Sequence, residues 1–285
     1  MTVPSDVSSC AVSSPQPVNA ARSPGALLGP EDASPFRSWA EERPTPFVLV
    51  SDHAGRSVPH RLGDMGVPAE QWERHIAWDI GIRNVARHLH ELLGAAWIEQ
   101  VYSRLVIDCN RRPGHPTSIP PVSDGTPVPA NAALAPTARQ QREEEILLPY
   151  HEEIARVLQA RRNRPTLIVS LHSFTPEMNG RARPWQIGLL HDHDPESAAL
   201  FSRLLQASDP ALCIGDNEPY ALTRQNDYTV PRHAEDRQLP ALELEIRQDL
   251  ITDEAGQAFW AERLADLLPR FWQARYQLQA DGSRR

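Results

Sequence analysis

Along the chain, short unbroken apolar runs alternate with longer stretches in which apolar residues recur every three or four positions. Four of the short runs read as buried strands: Pro46-Phe-Val-Leu-Val-Ser51, Ala96-Trp-Ile98, Thr166-Leu-Ile-Val-Ser-Leu171 and Trp185-Gln-Ile-Gly-Leu-Leu190. Runs of this length and composition are what a strand covered on both faces requires. Arg104-Leu-Val-Ile-Asp-Cys-Asn-Arg111 reads as a further strand, and Pro240-Ala-Leu-Glu-Leu-Glu-Ile246 alternates, with Glu243 and Glu245 on one face. Helical spacing appears at positions 82, 85, 86, 89, 92 and 93, and over 138–162, where Pro149 should kink the helix. It returns after Asp194-Pro195 and from about Asp253 to Leu278, with a bend at Pro269. Strands alternating with helices predict an α/β sandwich.

Residues 1–43 carry no such period. Rich in Ser and Pro, they read as a disordered tail ahead of a single α/β domain over 44–285. Pro113 to Pro136 is dense in Pro, Gly, Ser and Thr, longer than an ordinary connection, and reads as a lid over a site.

Composition narrows the function classes. A net charge of −8 with no basic segment argues against nucleic acid and anionic membrane as partners and favours a small molecule. All 29 basic residues are Arg, which excludes a P-loop lysine, a Schiff-base lysine and Ser-Lys chemistry. Cys10, Cys109 and Cys213 suit neither a disulfide framework nor a thiolate zinc site. With no membrane-length apolar run and no signal-peptide pattern, the expected location is the cytoplasm. Neither G-x-S-x-G nor G-x-G-x-x-G occurs.

The candidate chemistry lies where apolar runs stop. His53 and His172 each end a strand, and if those strands are neighbours the two imidazoles converge at the sheet edge where open α/β folds bind ligands. Asp79, ahead of the first helix, would complete a His-Asp-His set of the kind catalytic zinc uses, although a helix N-cap accounts for it equally well. Glu243 and Glu245 suit a general base beside a metal-activated water, or else the charged face of a half-exposed edge strand. Arg111 and Arg247 could clamp a carboxylate through paired N–H donors, or be surface ion pairs. His191 and His193 read as a solvated turn, His88 and His90 as surface residues. Tyr102-Ser-Arg104 and Asn217-Glu-Pro-Tyr220 read as turns without chemistry.

Six short motifs in order carry a resemblance: Ser51-Asp-His-Ala-Gly-Arg-Ser-Val-Pro59, Trp78-Asp-Ile-Gly-Ile82, Ser103-Arg-Leu-Val-Ile-Asp-Cys-Asn-Arg111, Ser170-Leu-His-Ser-Phe-Thr175, Gly215-Asp-Asn-Glu-Pro-Tyr220 and Glu243-Leu-Glu-Ile-Arg-Gln-Asp-Leu250. Together they resemble the N-formylglutamate amidohydrolase family, a predicted branch of it in particular, over about residues 46–275. The resemblance implies a three-layer sandwich with a central mixed sheet flanked by helices, similar to zinc-dependent exopeptidases and amidases. It further implies one Zn²⁺ on His53, Asp79 and His172, with Glu245 moving the proton and Glu243 as second choice. Arg111 and Arg247, helped by Arg183 and Asn110, would hold the carboxylates of an N-acyl amino acid, and N-formyl-L-glutamate would yield formate and glutamate. Two other readings remain open. One is a zinc amidase or carboxypeptidase acting on another N-acyl amino acid or a peptidoglycan fragment; the other is a non-catalytic binding protein that kept the fold.

Overall fold

The structure, a computed structural model, describes residues 25–282, with side chains to residue 276. The first part of the expected disordered tail, residues 1–24, lies outside the described residues. The remainder of that segment is not tail: Phe36–Trp39 forms the first strand, β1. Its neighbour along the chain, β2 (Phe47–Ser51), is buried at every position. Val48 and Val50 face one apolar cluster and Phe47 and Leu49 the other, the period-two alternation of a strand covered on both sides.

Helix α1 (Ile82–Leu93) buries Ile82, Val85, Ala86 and Leu89 along one stripe and stops at Gly94, a left-handed residue. After β3 (Ala96–Gln100) the expected strand at Arg104–Arg111 is absent. Its residues are buried in turns instead: the Ser103 hydroxyl accepts from Leu105 N–H at 3.1 Å and donates to Ala77 O at 2.7 Å, and Ser103 O accepts from Val106 N–H at 2.9 Å. Apolar content alone cannot separate a buried turn from a short strand. The Pro-rich stretch that follows holds a hairpin, β4 (Val122–Ser123) with β5 (Thr126–Pro127), and a short helix, α2 (Pro129–Ala132).

The period over 138–162 becomes α3 (Pro136–Arg142), one wide π turn (Glu143–Leu147) and α4 (Leu148–Ala160). Pro149 would clash with the carbonyl four residues back inside a regular helix, and here it sits in the first turn of α4 behind the π turn. The remaining elements are β6 (Leu167–Phe174), the hairpin β7 (Glu177–Met178) and β8 (Arg181–Ala182), then β9 (Ile187–Leu190) and α5 (Pro195–Ser208), which Asp194 caps by accepting from Ser197 N–H. β10 (Ile214–Asp216), α6 (Thr229–His233), β11 (Ala241–Arg247) and α7 (Glu254–Gly282) complete the chain.

Seven strands form one mixed sheet in the order β1-β3-β2-β6-β11-β9-β10. β3, β2, β6 and β11 run parallel, β1 is antiparallel to β3, and β9 is antiparallel to β11. Leu89, Phe201, Leu264 and Phe271 from α1, α5 and α7 cover one face; Ile107, Ile146, Tyr150 and Ile154 from the 101–109 turns, the π turn and α4 cover the other. The fold is thus a mixed α/β sandwich with its central sheet between helices. Two local expectations differ. β11 is central, so Glu243 and Glu245 lie on a buried strand and not on an edge. His90 is buried among Trp39 and Trp97 with Nδ1 2.6 Å from Ala95 O, because the i, i+4 stripe of α1 that faces the sheet includes it. Among the described residues no helix is long and apolar enough to cross a membrane.

Candidate active site

Adjacent parallel strands bring the histidines together. β2 pairs with β6 so that Val50 lies opposite Ser170; His53 stands in the turn after β2, whereas His172 lies within β6, two residues before its end and not at it, and the two rings are 5.0 Å apart, edge to face. A tight turn follows His53. At Gly55 a Cβ would sit 2.0 Å from Val101 O, so only glycine lets the chain pass the end of β3. Asp79 is tied in by its backbone, its N–H donating to His53 O at 2.9 Å. It is not the cap of α1: Gly81 occupies that position and no side chain caps the helix.

His53, Asp79 and His172 are each at most 3% exposed, and one ligand atom from each lies within 4.8 Å of the others. Asp79 Oδ2 is 3.5 Å from His53 Nδ1 and 2.9 Å from His172 Nδ1. The far nitrogens meet other carboxylates: His53 Nε2 is 2.8 Å from Asp108 Oδ1, and His172 Nε2 is 3.3 Å from Asp52 Oδ2. With His53 Nε2–H turned to Asp108, its Nδ1 lone pair faces Asp79 and is buried with no hydrogen-bond partner; His172 Nε2 and Asp52 Oδ2 likewise form no hydrogen bond, and His172 Nδ1 lies within hydrogen-bond distance of Asp79 Oδ2. Such a convergence of acceptors is suited to a cation. The spacings bracket the ~3.3 Å separation expected of ligands about 2.0–2.1 Å from a tetrahedral zinc ion. The residues therefore fit the metal that the motif series implies.

The supporting carboxylates differ. Arg104 donates to Asp108 Oδ2 at 2.9 Å and to Asp79 Oδ1 at 3.3 Å, bridging the two acids. Asp52 accepts from Tyr150 Oη at 2.8 Å and Thr229 Oγ1 at 2.7 Å. Burial pushes its carboxyl up, but hydrogen bonding and charge from His172 hold it at about 2. Behind Asp52 lies a stacked pair, His151 and His233, with Nδ1 of the first 2.9 Å from Nε2 of the second and rings 9° from parallel. Burial holds His233 down at about 2.

A cavity of about 220 Å³ opens beside the cluster, lined by Asn110, Arg111, Tyr220, Asp227, Glu243 and Glu245 among others. β11 pairs with β6 so that Glu245 lies directly opposite His172. Glu243 and Glu245 each keep one buried oxygen without a hydrogen-bond partner. Burial pushes Glu245 up to about 7, with His172 opposing and Asp79 reinforcing the shift. Glu243 is raised by burial and by the charge of Asp227.

Of the candidate carboxylate binders, Arg111 lines the cavity and donates to the Asn110 and Asn226 carbonyls. Asn110 lines it too, but its amide is committed: Oδ1 accepts from Tyr228 and Thr229 N–H, and Nδ2 donates to Asp227. It latches the 227–229 segment in place. Arg183 stands over the Tyr220 ring at 4.9 Å and donates to Thr175 Oγ1, one step behind the cavity wall. Arg247 is not brought to the site. Its guanidinium pairs with Asp249 and donates to the carbonyls of Arg183 and Pro184, because the chain turns into a short 3₁₀ segment directly after β11.

Asp52, Asp108, Arg104, Asp227 and Tyr220 belong to the site without having been singled out. Asp52 and Asp108 stand inside the quoted motifs, and adjacency to a strand-end histidine is the one sequence signal Asp52 offers. Arg104 falls where the Tyr102-Ser-Arg104 turn meets the expected strand, and Tyr220 in a segment read as a plain turn. His191 and His193 pair with Asp216 and Glu235, away from the cluster.

A sequence profile of the N-formylglutamate amidohydrolase family matches residues 45–252. The chain is similar to a gene product of Agrobacterium tumefaciens of known structure, at 31% identity, over 88% of this chain and 99% of that one, with a TM-score of 0.84. It shares its fold with the N-formylglutamate amidohydrolase of Ralstonia eutropha JMP134, at 19% identity, over 86% and 99% of the two chains, with a TM-score of 0.60. No curated protein sequence matches it.

Proposed function

The chain belongs to the N-formylglutamate amidohydrolase family, and from that premise we propose that it hydrolyses the amide of an N-acyl amino acid, with N-formyl-L-glutamate the reference substrate, using one Zn²⁺ on His53, Asp79 and His172. The observation that carries the reading is the convergence of His53 Nδ1, His172 Nδ1 and Asp79 Oδ2 beside the unpartnered Glu245 oxygen. Zinc bound there would supply Lewis acidity toward the acyl carbonyl and lower the pKa of water.

The chain's own residues supply the rest. Asp108 fixes the orientation and tautomer of His53 by accepting from Nε2–H, which keeps its Nδ1 lone pair directed inward, and Asp52, 3.3 Å from His172 Nε2, sets a negative charge against the second ring. Glu245 accepts the proton of the attacking water and returns it to the departing nitrogen as the C–N bond breaks, giving a carboxylic acid and a free amine. Glu243, two residues earlier on the same face, supports the acidic character of the wall. Arg111 meets a substrate carboxylate; Arg183 acts by setting Tyr220 against the same wall.

The test combines metal analysis with turnover. The purified protein should bind one equivalent of zinc, lose amine release from N-formylglutamate on chelation, and regain it on reloading. Full activity in the chelated protein, or metal bound without turnover of any N-formyl or N-acetyl amino acid, overturns the reading.

A further inference from the structure

The cavity at the cluster does not end at its arginines. Beyond Arg104, Arg111 and Tyr220 lies a second chamber of about 450 Å³, twice the inner volume, and the two share those three residues and His75 as a common wall. The hairpin tips of β4–β5 and β7–β8 border it, contributing Ser123, Asp124 and Gly125 from one and Met178 and Asn179 from the other. Alone, the inner chamber falls below the roughly 300–1,000 Å³ of ordinary ligand sites; the two together lie within that range.

The charge in this passage is already sorted. Asp108 is engaged by His53 and Arg104, and Asp124 by Arg74 at 2.5 Å. Arg111, at the boundary, donates to backbone carbonyls and forms no ion pair among the described residues. The passage therefore offers one uncommitted cation and walls carrying hydroxyl, amide and imidazole groups from Thr117, Ser123, Asn179 and His75. Such walls suit a peptide unit ending in a carboxylate; a lengthened alkyl acyl chain would leave these polar groups without partners.

Resting on the hydrolytic reading above, we propose that the substrate continues past the amino acid at the scissile amide into the outer chamber, so that the preferred class is an N-acyl dipeptide or longer peptide whose second residue lies between the two hairpins. Arg111 then binds the carboxyl or amide oxygen of the first residue at the boundary, and the outer polar wall receives the second.

The experiment compares one residue with two on the zinc-loaded protein. By calorimetry, glutamyl-alanine should bind about tenfold or more tighter than glutamate, and kcat/KM for N-formyl-glutamyl-alanine should exceed that for N-formylglutamate by about the same factor. Ser123→Trp, which fills the chamber from one hairpin, should bring both ratios close to one; Met178→Trp repeats the block from the facing hairpin, should either variant fail to fold. Equal binding and equal kcat/KM in the wild type overturn the proposal, as does a gain for a longer acyl group without one for a second residue. Tighter dipeptide binding with neither compound hydrolysed supports the outer subsite and overturns the hydrolytic reading instead.

Discussion

The two histidines of the cluster are supported in opposite surroundings. Behind His53, Asp108 lies on a turn, shares its carboxylate with Arg104 and lines the outer chamber. Behind His172, Asp52 is fully enclosed, holds two hydroxyls, and backs onto the His151–His233 stack. In both arms Nδ1 approaches Asp79, yet one arm borders the outer chamber and the other is continuous with the core. The same ring orientation is thus maintained by an exchangeable ion-pair network on one side and by packing on the other.

Removing the rings should erase that distinction and has the largest effect. His53→Ala or His172→Ala should each abolish stoichiometric zinc binding and lower kcat/KM roughly 10³-fold or more, since several kcal/mol of charge stabilisation depend on the ion. Glu245→Gln is the control, expected to keep the metal and lose about 10²–10⁴ in kcat. Metal content by emission spectroscopy alongside turnover separates the two, and a metal-free Glu245→Gln would break the assignment.

The comparison is tested directly by Asp108→Asn and Asp52→Asn. Either should weaken zinc binding about 10–100-fold in a chelator competition. In the alanine pair, Asp52→Ala should lower the urea midpoint more than Asp108→Ala, by an equivalent of about 1–3 kcal/mol, because it leaves the buried Tyr150 and Thr229 hydroxyls without their shared acceptor. Equal stability losses in the two variants would show that the arms do not differ in kind.

Acid should distinguish them next. His233 is held near 2 in the fold against 6.5 in the free side chain, so on acidification the unfolded chain takes up the proton first. The stability this neutral stack contributes is present above pH 6.5 and lost progressively as pH falls toward 2, about 2 kcal/mol by pH 5. His233→Asn should flatten that part of the urea midpoint's dependence between pH 7.5 and 5; an unchanged slope contradicts it. The smallest effect belongs to Arg247→Ala, expected to leave KM within about twofold, whereas Arg111→Ala should raise KM about tenfold or more through loss of a charge-assisted contact.

How much of this was legible in the sequence depended on whether the signal was local. The turn at His53 followed from its apolar run, the strand of His172 ran two residues past the expected end to Phe174, and the His-Asp-His set came together because β2 and β6 are neighbours, a fact of topology the sequence left conditional. Asp52 was hidden by topology: it lies in the turn after β2 and meets His172 of the neighbouring strand, not His53 beside it in the chain. Arg104 was hidden by its segment, whose apolar residues looked like a strand although Ser103 folds it into turns. For Arg247 the reverse occurred. Its position beside Glu245 suggested the site, but the 3₁₀ turn after β11 carries its side chain to Asp249.

The strand Phe36–Trp39 bears on how the protein can be shortened. β1 covers the outer side of β3 and supplies Arg37, which with Arg83 neutralises the buried Glu99. A version trimmed to begin at Pro44 would uncover a row of unpaired backbone amides and carbonyls on a strand whose five residues are all buried, and would leave Glu99 with one guanidinium instead of two. Uncovered strands of this kind recruit other chains. Self-association and loss of soluble yield are the consequence, with the catalytic edge of the sheet left formally intact.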